Sequence, residues 1–520
     1  MAPRGNVLFV TVDQWRGDCL SAAGHPLVRT PTLDALAAEG VRFAHHWANV
    51  APCGPSRTTL HTGMYAQNHR SVLNGTPLDD RFTNVALLAR EAGYVPTLFG
   101  YTDTTVDPRG LPPDDPRLFT YEGVLPGFEV AMNDPSETAG PLEWGRWLAG
   151  RGVDVPTDPG ELYRPDLSFP GADARSEWWA PGHYGPEDTE SAFLVDTLID
   201  WFRARDDAEP WFVHASFIRP HPPYRNPVGY HDVYEAEDVP DFRGLADRDA
   251  AAALHPMAAI AMGIPGVGAP VDEADRRQLR ATYYGMMAEV DDQLGRLLGW
   301  LGAEGLLDDT LVVLTSDHGD QMGDHHLIEK LGWWDESYHV PLIVRDPRPE
   351  ADARRGAVVT TPTEHVDVLP TLCAWMGVEA PLQCDGRALQ PFLHDDPGAG
   401  GPDGWRTEVH WEWDFRNPWL HLAEDLLGIP MEQCCLNVVR GPRWKHVHFA
   451  TDPEVLPPLL FDLEADPEGT VDLAADPAHA ADLAAATGRL LRWRMRHDER
   501  TLTGHMVTPE GLVTRRDPHR

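Results

Sequence analysis

Carboxylate and imidazole side chains stand directly after two apolar runs of this 520-residue chain. Asp13 and Gln14 follow the run Asn6–Val12, which is apolar and β-branched and therefore predicts a buried strand. Asp317 and His318 follow a second run of the same kind. Ligands of open α/β sheets bind at the carboxyl ends of the strands, where carboxylates and an imidazole could hold one divalent ion. A lone Asp after a strand is more often a helix N-cap, so the metal interpretation depends on both strand ends together.

A third set of residues surrounds Cys53, in the run Cys53-Gly54-Pro55-Ser56-Arg57. One interpretation is an ordinary loop cysteine before a helix that starts at proline. The other is that Cys-x-Pro-x-Arg resembles the sequence that the maturation machinery of the sulfatase family oxidises to Cα-formylglycine. One hydroxyl of the hydrated aldehyde can attack sulfur or phosphorus and form a covalent ester. The second hydroxyl can then lose its proton and restore the aldehyde, which expels sulfate or phosphonate without attack by water.

Further segments extend this resemblance along the chain. They are Leu60–Tyr65, Ser316–Gly319, Gly323–Lys330 and Leu460–Pro467. Over about residues 5–475 the chain is similar to the sulfatase branch of the alkaline phosphatase superfamily, and Gly323–Lys330 is closer to the phosphonate monoester hydrolases. The resemblance implies an alkaline phosphatase-like α/β fold, in which helices cover both faces of a large, mostly parallel sheet. A smaller C-terminal α+β subdomain would follow.

The same resemblance assigns metal ligands in this sequence. It implies that Asp13, Gln14, Asp317 and His318 bind the ion together with an oxygen of modified Cys53. Many sulfatases have a second Asp where this chain has Gln14 and an Asn where it has His318. Both differences weaken a Ca²⁺ assignment and favour a transition metal, but the residues leave Mn²⁺, Mg²⁺, Ca²⁺ and Zn²⁺ open.

The resemblance also implies a set of residues around the reacting group. Arg57 would hold the formylglycine hydrate, and Lys330 would offer positive charge to oxygens that gain negative charge in the transition state. His221 could protonate the leaving alkoxide. Tyr101 and Asn74 could donate hydrogen bonds to a nonbridging oxygen or to the leaving group.

Two positions depart from the family pattern. Gly54 stands where Ser, Thr or Ala often follows the modified cysteine. Asp103 stands where some relatives have Thr. A carboxylate there would repel an anionic substrate or bind a cationic leaving group, so Asp103 is a candidate substrate-binding residue.

These features predict a hydrolase of phosphonate monoesters and phosphate diesters with sulfate monoesterase activity beside it. Phosphate diesters and sulfate monoesters share a single negative charge on the reacting group, so one site could accept both. A dedicated arylsulfatase or alkylsulfatase is the alternative. A catalytically silent protein that binds metal and anion is a third reading, and the joint presence of nucleophile, metal positions and candidate acid argues against it.

Composition restricts the partners and the location. The net charge of −38, from 43 basic and 81 acidic residues, argues against nucleic acid or an anionic membrane as the main partner. An acidic chain with a small anionic ester as substrate needs a local cation, which a metal ion would supply. The six cysteines are irregularly spaced and the first residues carry no secretory pattern, so we expect a cytoplasmic protein with reduced thiols. Formylglycine-generating machinery is the other implied partner.

Strands and helices alternate in the parts of the chain that must position these residues. Strands are predicted at 6–12, 95–99, 211–216, 310–315 and 342–344, and helices at about 31–39, 83–92, 188–205 and 273–302. Such alternation predicts βαβ units and a parallel sheet covered on both faces. Two irregular stretches near 104–186 and 222–270 are too long for connectors and predict insertions or lids. Trp144, Trp147, Trp178 and Trp179 would form an apolar wall for the leaving group or would pack the first insertion.

The C-terminal part reads as a separate, smaller unit. We place the end of the catalytic domain, 1–395, in the run Asp395–Gly400. Residues 396–499 predict an α+β subdomain, with strands at 436–439, 445–449 and 459–463 and a helix at about 478–496. Residues 500–520 lack a core pattern and would be an arm onto a neighbouring subunit, so we expect a homo-oligomer.

Overall fold

The computed structural model of the protein describes residues 5–120, 123–133, 142–205, 209–398, 400–416 and 421–515. In chain order, its strands are β1 (Asn6–Val12), β2 (Val41–Phe43), β3 (His46–Trp47), β4 (Val50–Ala51), β5 (Pro96–Gly100), β6 (Glu129–Asn133), β7 (Phe212–Phe217), β8 (Thr310–Ser316), β9 (His339–Val340), β10 (Leu342–Arg345), β11 (Ala357–Val359), β12 (Thr363–Glu364), β13 (Val409–Asp414), β14 (Cys435–Arg440), β15 (Trp444–Phe449), β16 (Leu459–Asp462), β17 (His505–Thr508) and β18 (Gly511–Thr514). The helices are α1 (Pro31–Glu39), α2 (Cys53–Thr62), α3 (Ala66–His69), α4 (Val85–Glu91), α5 (Leu142–Gly150), α6 (Glu190–Ala204), α7 (Arg248–Ala253), α8 (Pro256–Gly263), α9 (Glu273–Ala303), α10 (Asp335–Tyr338), α11 (Val368–Met376), α12 (Gln390–His394), α13 (Leu422–Leu427) and α14 (Ala480–Arg496).

The main sheet has the strand order β11-β2-β10-β8-β1-β7-β5-β6. Its strands pair in parallel except for β10, which runs antiparallel to both β2 and β8. Strand β1 lies in the middle and pairs in parallel with β7 on one side and β8 on the other. This arrangement confirms the predicted α/β fold with a large, mostly parallel sheet.

Both faces of β1 are buried, which explains its uninterrupted apolar sequence. Leu8 and Val10 pack into one core with residues of α6 and α9, whereas Val7 and Phe9 pack into a second core with residues of α4 and α11. Because neighbouring residues of a strand point to opposite faces, one strand contributes to both cores. The sheet is therefore held rigidly from both sides, and its carboxyl ends are fixed.

Most predicted elements of the main sheet occur within a few residues of their expected bounds. Helix α4 begins later than predicted because the side chain of Asn84 accepts hydrogen bonds from the backbone N–H groups of Ala86 and Leu87. Helix α1 starts at Pro31 as predicted, but Thr30 makes no side-chain cap. Its hydroxyl instead accepts a hydrogen bond from the backbone of Ser21, at 3.0 Å.

The two stretches that the sequence marked as irregular contain regular elements. The first holds β6, which pairs in parallel with β5 and forms one edge of the main sheet, and also α5. The second holds the short helices α7 and α8. Strand β6 escaped prediction because an edge strand of five residues carries little periodicity. The first stretch is therefore part of the sheet as well as an insertion.

Three tryptophans of the first stretch pack against neighbouring parts of the fold. Trp144 is fully buried, and its indole N–H donates to the backbone oxygen of Asp188, at 2.9 Å. Trp147 lies against Phe193 of α6, with ring centroids 5.4 Å apart, and Trp179 lies 4.9 Å from the ring of His231. These contacts favour the packing interpretation over an open apolar wall.

A second sheet has the order β16-β15-β14-β13-β4 and contains most strands of the predicted C-terminal subdomain. Its edge strand β4 comes from the N-terminal part of the chain and pairs in parallel with β13. The side-chain amide of Asn49 also donates to the backbone oxygen of His410, at 2.8 Å. Two residues of the predicted catalytic domain therefore complete the C-terminal sheet, and they directly precede Pro52 and Cys53.

The described residues after α14 form a hairpin of β17 and β18. Several apolar side chains on it are exposed, among them Met506, Val507 and Leu512. No helix among the described residues combines the length and the apolar character needed to cross a membrane.

Candidate active site

The two strand ends that carry the predicted metal ligands lie next to each other. Strands β1 and β8 are parallel neighbours, and Val12 pairs with Ser316 in their register. Asp13 and Asp317 are the next residues of each strand, so both carboxylates emerge at the same edge of the sheet. The backbone N–H of Gln14 donates to Asp317 Oδ1, at 3.1 Å, which joins the two ends directly.

Cys53 reaches this edge as the first residue of α2. It is buried, and β4 brings it there from the second sheet. The next residue has to be glycine in this packing, because a Cβ on Gly54 would lie 2.8 Å from both the Cα of Asn74 and the backbone oxygen of Asp103. The departure from the family pattern at Gly54 is thus explained by the close approach of the segments that contain Asn74 and Asp103.

Asp13, Cys53, Asp317 and His318 form a compact cluster of buried metal-ligand atoms, all within 4.8 Å of one another. His318 Nε2 lies 3.1 Å from Cys53 Sγ, 3.7 Å from Asp13 Oδ1 and 3.8 Å from Asp317 Oδ1. Two carboxylates, one sulfur and one imidazole nitrogen converging on one point are a donor set that fits a divalent cation.

The protonation of His318 also suits a ligand. Its Nδ1 lies 3.0 Å from the backbone oxygen of Gly319, so this nitrogen carries the proton and donates it. The lone pair of Nε2 is then directed at the cluster. Burial, together with the charge of Lys330, lowers the pKa of His318 to about 3, so the ring is neutral at physiological pH.

The two carboxylates of the cluster have opposite pKa shifts. Burial and the nearby charge of Asp13 raise the pKa of Asp317 to about 7. The pKa of Asp13 is lowered: burial acts to raise it, but its interactions with His221, Arg57 and Lys330 outweigh burial. Two buried carboxylates this close repel each other, and a divalent cation between them would relieve that repulsion.

Arg57 is fully buried directly behind the two carboxylates. Its Nε donates to Asp317 Oδ2 at 2.9 Å, and its Nη2 donates to Asp13 Oδ2 at 3.0 Å. Its Nη1 donates to the hydroxyl of Ser216 at 2.6 Å. All three guanidinium nitrogens are therefore used in fixing the cluster and the end of β7. The predicted contact between Arg57 and the formylglycine hydrate stays a prediction.

Tyr101 and Asp103 also lie on the inner side of the cluster. The hydroxyl of Tyr101 donates to Asp13 Oδ2 at 2.5 Å and accepts a hydrogen bond from Arg57. Asp103 is 2 % exposed, and its Oδ2 lies 3.5 Å from Arg57 Nε. In this arrangement Tyr101 supports a metal carboxylate and Asp103 pairs with a buried cation, so contacts of either residue with substrate stay predictions.

The side chains of Gln14 and Lys330 bond to each other beside the metal-ligand cluster. Lys330 Nζ donates to Gln14 Oε1 at 2.6 Å and lies 3.0 Å from the carboxylate of Glu329. The amide nitrogen of Gln14 donates to Asp320 and to the hydroxyl of Tyr224. The oxygen of Gln14 therefore faces the cation of Lys330, and its role as a metal ligand stays a prediction.

His221 and Asn74 lie at the margins of the cluster. His221 is half-buried, with Nδ1 2.7 Å from the backbone oxygen of Pro222, and it is close enough to Asp13 to affect the pKa of that carboxyl group. The side-chain oxygen of Asn74 accepts from the backbone N–H of Gly54 at 2.8 Å, which fixes the start of α2. The nitrogen of Asn74 is the atom that could donate to a substrate.

Known proteins share this fold and arrangement over nearly the whole chain. The family model described as Sulfatase matches residues 5–378, and the model described as N-sulphoglucosamine sulphohydrolase, C-terminal, matches residues 323–496. The chain belongs to the sulfatase family.

Three relatives are similar to this sulfatase family member over almost their full lengths. The multifunctional alkaline phosphatase superfamily protein PehA of Trinickia caryophylli is 39% identical over 530 residues, covering 98% of this chain and 99% of its own. The crystal structure of the phosphonate monoester hydrolase of Agrobacterium radiobacter has 43% identity and a TM-score of 0.92, covering 99% of this chain and 100% of its own. The phosphonate monoester hydrolase SpPMH of Silicibacter pomeroyi has 38% identity and a TM-score of 0.89, covering 99% of both chains. Because the chain belongs to the sulfatase family and is similar to these phosphonate monoester hydrolases over nearly its full length, it is a hydrolase.

The surroundings of Cys53 disfavour the thiolate form of its side chain. Burial and the negative charge of Asp13 raise the pKa of the Cys53 thiol well above its ordinary value. A thiol reacts and binds metal as the thiolate, which these surroundings disfavour.

Several residues that stabilise the site through hydrogen bonds were not predicted from the sequence. Asp320 accepts hydrogen bonds from Gln14 and, at 2.7 Å, from the hydroxyl of Tyr224. Ser216 at the end of β7 accepts from Arg57. Asp320 directly follows the run Ser316–Gly319 that drew attention to Asp317, so its position was a usable signal. Tyr224 follows a proline-rich loop, and nothing in the local sequence marks it.

Proposed function

We propose that this chain hydrolyses phosphonate monoesters and phosphate diesters, with sulfate monoesters as a side activity, using one divalent metal ion and formylglycine made from Cys53. The observation that carries the proposal is the buried convergence of Cys53, Asp13, Asp317 and His318. The bound metal would act as a Lewis acid on the reacting group. The hydrated aldehyde would supply the attacking hydroxyl and a second hydroxyl for release of the ester.

The charges around the cluster support substrates with one negative charge on the reacting group. Lys330 is held at the edge by Gln14 and Glu329, and its pKa is raised: burial acts to lower it, but the carboxylates of Glu329 and Asp13 outweigh that effect. Arg57 is already paired with both ligand carboxylates. One metal and one ammonium group are a modest cationic set, which suits diesters and sulfate monoesters better than dianionic phosphate monoesters. Similarity to two phosphonate monoester hydrolases over 99% of this chain supports the same choice.

The finer points of this proposal are the metal, the partners and the location. His318 in the donor set favours a transition metal such as Mn²⁺ or Zn²⁺ over Ca²⁺. Formylglycine-generating machinery would act on the chain before Cys53 is buried. We also propose a cytoplasmic homo-oligomer, in which the exposed apolar hairpin of β17 and β18 contacts a neighbouring subunit.

A substrate panel tests the proposal. Enzyme with verified formylglycine and a defined metal would be assayed on an aryl phosphonate monoester, a phosphate diester and a sulfate monoester that share one leaving group. We expect kcat/KM to be highest for the phosphonate or the diester and measurable for the sulfate. A strong preference for the sulfate ester would instead establish the dedicated sulfatase.

We expect His221→Ala to damage the hydrolysis of poor leaving groups most. A general acid matters in proportion to the basicity of the leaving group, because nitrophenolate departs without a proton and an alkoxide does not. The loss in kcat/KM should be about 10²-fold greater for an alkyl than for a nitrophenyl ester. The measurement is a plot of log kcat/KM against leaving-group pKa for wild type and variant. Parallel plots would assign His221 to electrostatic stabilisation instead.

Lys330→Ala is the matched comparison for that experiment. Lys330 would act on nonbridging oxygens, which carry charge whatever group departs, so its loss should lower kcat/KM by a similar factor across the series. Because Gln14 also loses the partner of its oxygen, metal content must be measured in the same preparation. A loss that depends steeply on leaving-group pKa would contradict this role.

A further inference from the structure

A polar cavity of about 430 Å³ lies beyond the C-terminal end of α2, where Tyr65 and Glu364 are among its lining residues. Cys53 is the first of the ten residues of α2. A helix rises about 1.5 Å per residue, so about 15 Å separate the two ends of α2. The lining of this cavity contains none of the four residues of the metal-ligand cluster. We call it the arginine cavity, because five of its lining residues are arginines.

Basic residues outnumber acidic residues around the arginine cavity, whereas acidic residues outnumber basic residues in the whole chain. In the whole sequence 81 acidic residues outnumber 43 Lys and Arg. Around the cavity the five arginines outnumber the acidic lining residues Glu364, Asp385 and Glu408. A concentration of positive charge in a strongly acidic protein creates a local field that attracts anions.

Three of these arginines come from one face of α14. Arg489, Arg492 and Arg496 are spaced three and four residues apart, so their side chains lie on the same side of the helix. Arg489 Nε is 3.1 Å from a carboxylate oxygen of Glu408. Arg492 and Arg496 are exposed, and neither forms an ion pair or a hydrogen bond with another residue in the described part of the chain. The charges of Arg492 and Arg496 also act on Glu408, but that carboxylate is already paired with Arg489, so both guanidinium groups can bond to a ligand.

The other two arginines differ in how far they are already paired. Arg406 Nε lies 2.9 Å from Glu364 Oε2, and the same guanidinium donates to Asp367, so it is part of the framework. Arg387 is exposed, and its Nη1 donates to the backbone oxygen of Gly404 at 2.7 Å. Arg387 therefore forms no ion pair with a carboxylate of the described residues, and it lines the same cavity as the arginines of α14.

A buried aromatic pair holds the arginine-bearing helix in place. The rings of His410 and Trp493 stack with centroids 4.3 Å apart and an interplanar angle of 5°. Burial, together with the charges of His497, Arg406 and Arg489, lowers the pKa of His410 well below its ordinary value, so the ring is neutral. Trp493 Nε1 and His410 Nε2 have no hydrogen-bond partner among the described residues. Both residues line the cavity, so these two atoms could bond to a ligand there.

We propose that the arginine cavity is a binding site for a dianionic oxyanion of the phosphate type, held by Arg492, Arg496 and Arg387. Guanidinium groups match the geometry of phosphate oxygens, because they donate two parallel hydrogen bonds. Three guanidinium groups without carboxylate partners exceed what one carboxylate ligand could neutralise. The proposal is independent of the proposed function, since its residues do not touch the metal-ligand cluster.

Titration calorimetry of the metal-loaded enzyme with inorganic phosphate, at fixed ionic strength, tests this site. We expect Arg492→Ala and Arg496→Ala each to weaken phosphate binding about tenfold. The matched control is Arg494→Ala, which removes a charge from the same helix but from an arginine that pairs with Glu412 at 2.5 Å outside the cavity. Lys330→Ala distinguishes binding at the metal-ligand cluster from binding in the arginine cavity. This variant should weaken the binding of phosphate near the metal, and it should leave the binding of phosphate in the arginine cavity unchanged.

Unchanged phosphate affinity in Arg492→Ala and Arg496→Ala, or no binding to wild type, would overturn the proposal. All cavity variants should keep wild-type kcat on the preferred substrate, which also shows that they are folded. A second measurement uses only the wild-type protein. Phosphate should slow the modification of Arg492 and Arg496 by phenylglyoxal, as followed by peptide mass, and equal rates with and without phosphate would contradict the site.

Discussion

Cys53→Ala is expected to abolish turnover of every substrate class, with a loss in kcat of at least about 10⁴-fold. Alanine offers neither an aldehyde nor a hydroxyl, so no covalent ester can form on residue 53. The fold should persist, because a buried side chain is shortened by one atom and the pairing of Arg57 with Asp13 and Asp317 does not involve it. The measurement is kcat from steady-state kinetics. Circular dichroism and metal analysis of the same sample check the fold and the metal content.

Cys53→Ser is the matched control, because serine keeps one hydroxyl at the same place. It could attack the substrate, but it has no second hydroxyl with which to expel the product. We expect one turnover or less per active site and a residue 53 peptide heavier by the transferred group. Multiple turnovers by Cys53→Ala at the wild-type rate would show that residue 53 is not the nucleophile.

Removal of the metal is expected to abolish activity, and Mn²⁺ or a similar ion should restore it. Asp317→Asn should weaken metal binding by at least about 10²-fold, because one anionic ligand of the cluster is lost while its size is kept. Elemental analysis after dialysis and activity at increasing Mn²⁺ are the measurements.

Asp103→Asn provides the control for that prediction. Asp103 is also buried and lies 3.5 Å from Arg57 Nε, but it is outside the four-residue cluster. The Asp103→Asn variant should therefore retain the metal. Full metal occupancy in Asp317→Asn, or equal losses in both variants, would contradict the assignment of Asp317 as a ligand.

The sequence was sufficient for the fold class and for the part of the site that follows strands. Asp13 and Asp317 meet because β1 and β8 are adjacent and parallel, and both strands are long apolar runs that local pattern predicts well. Cys53 was found through its motif, since nothing in local periodicity brings α2 to the sheet edge. That approach depends on β4, a two-residue strand too short to be read from sequence.

The pairing of polar groups inside the site could not be predicted. Residue type did not indicate that Arg57 would donate to Asp13, Asp317 and Ser216, and its contact with the modified nucleophile stays a prediction. Residue type also did not indicate that the oxygen of Gln14 would accept from Lys330, and the role of Gln14 as a metal ligand stays a prediction. Such choices depend on distances between segments hundreds of residues apart, and residue type alone does not determine which of several partners a buried donor reaches.

The most direct test of this account is the mass of the proteolytic peptide that contains residue 53, taken from enzyme at full specific activity. We expect this peptide to be lighter than the encoded sequence by the difference between a thiol-bearing CH₂SH group and an aldehyde. A carbonyl-specific hydrazide should label the same peptide, and the labelled fraction should rise with specific activity across preparations. A fully active enzyme in which residue 53 is an unmodified cysteine would contradict the account.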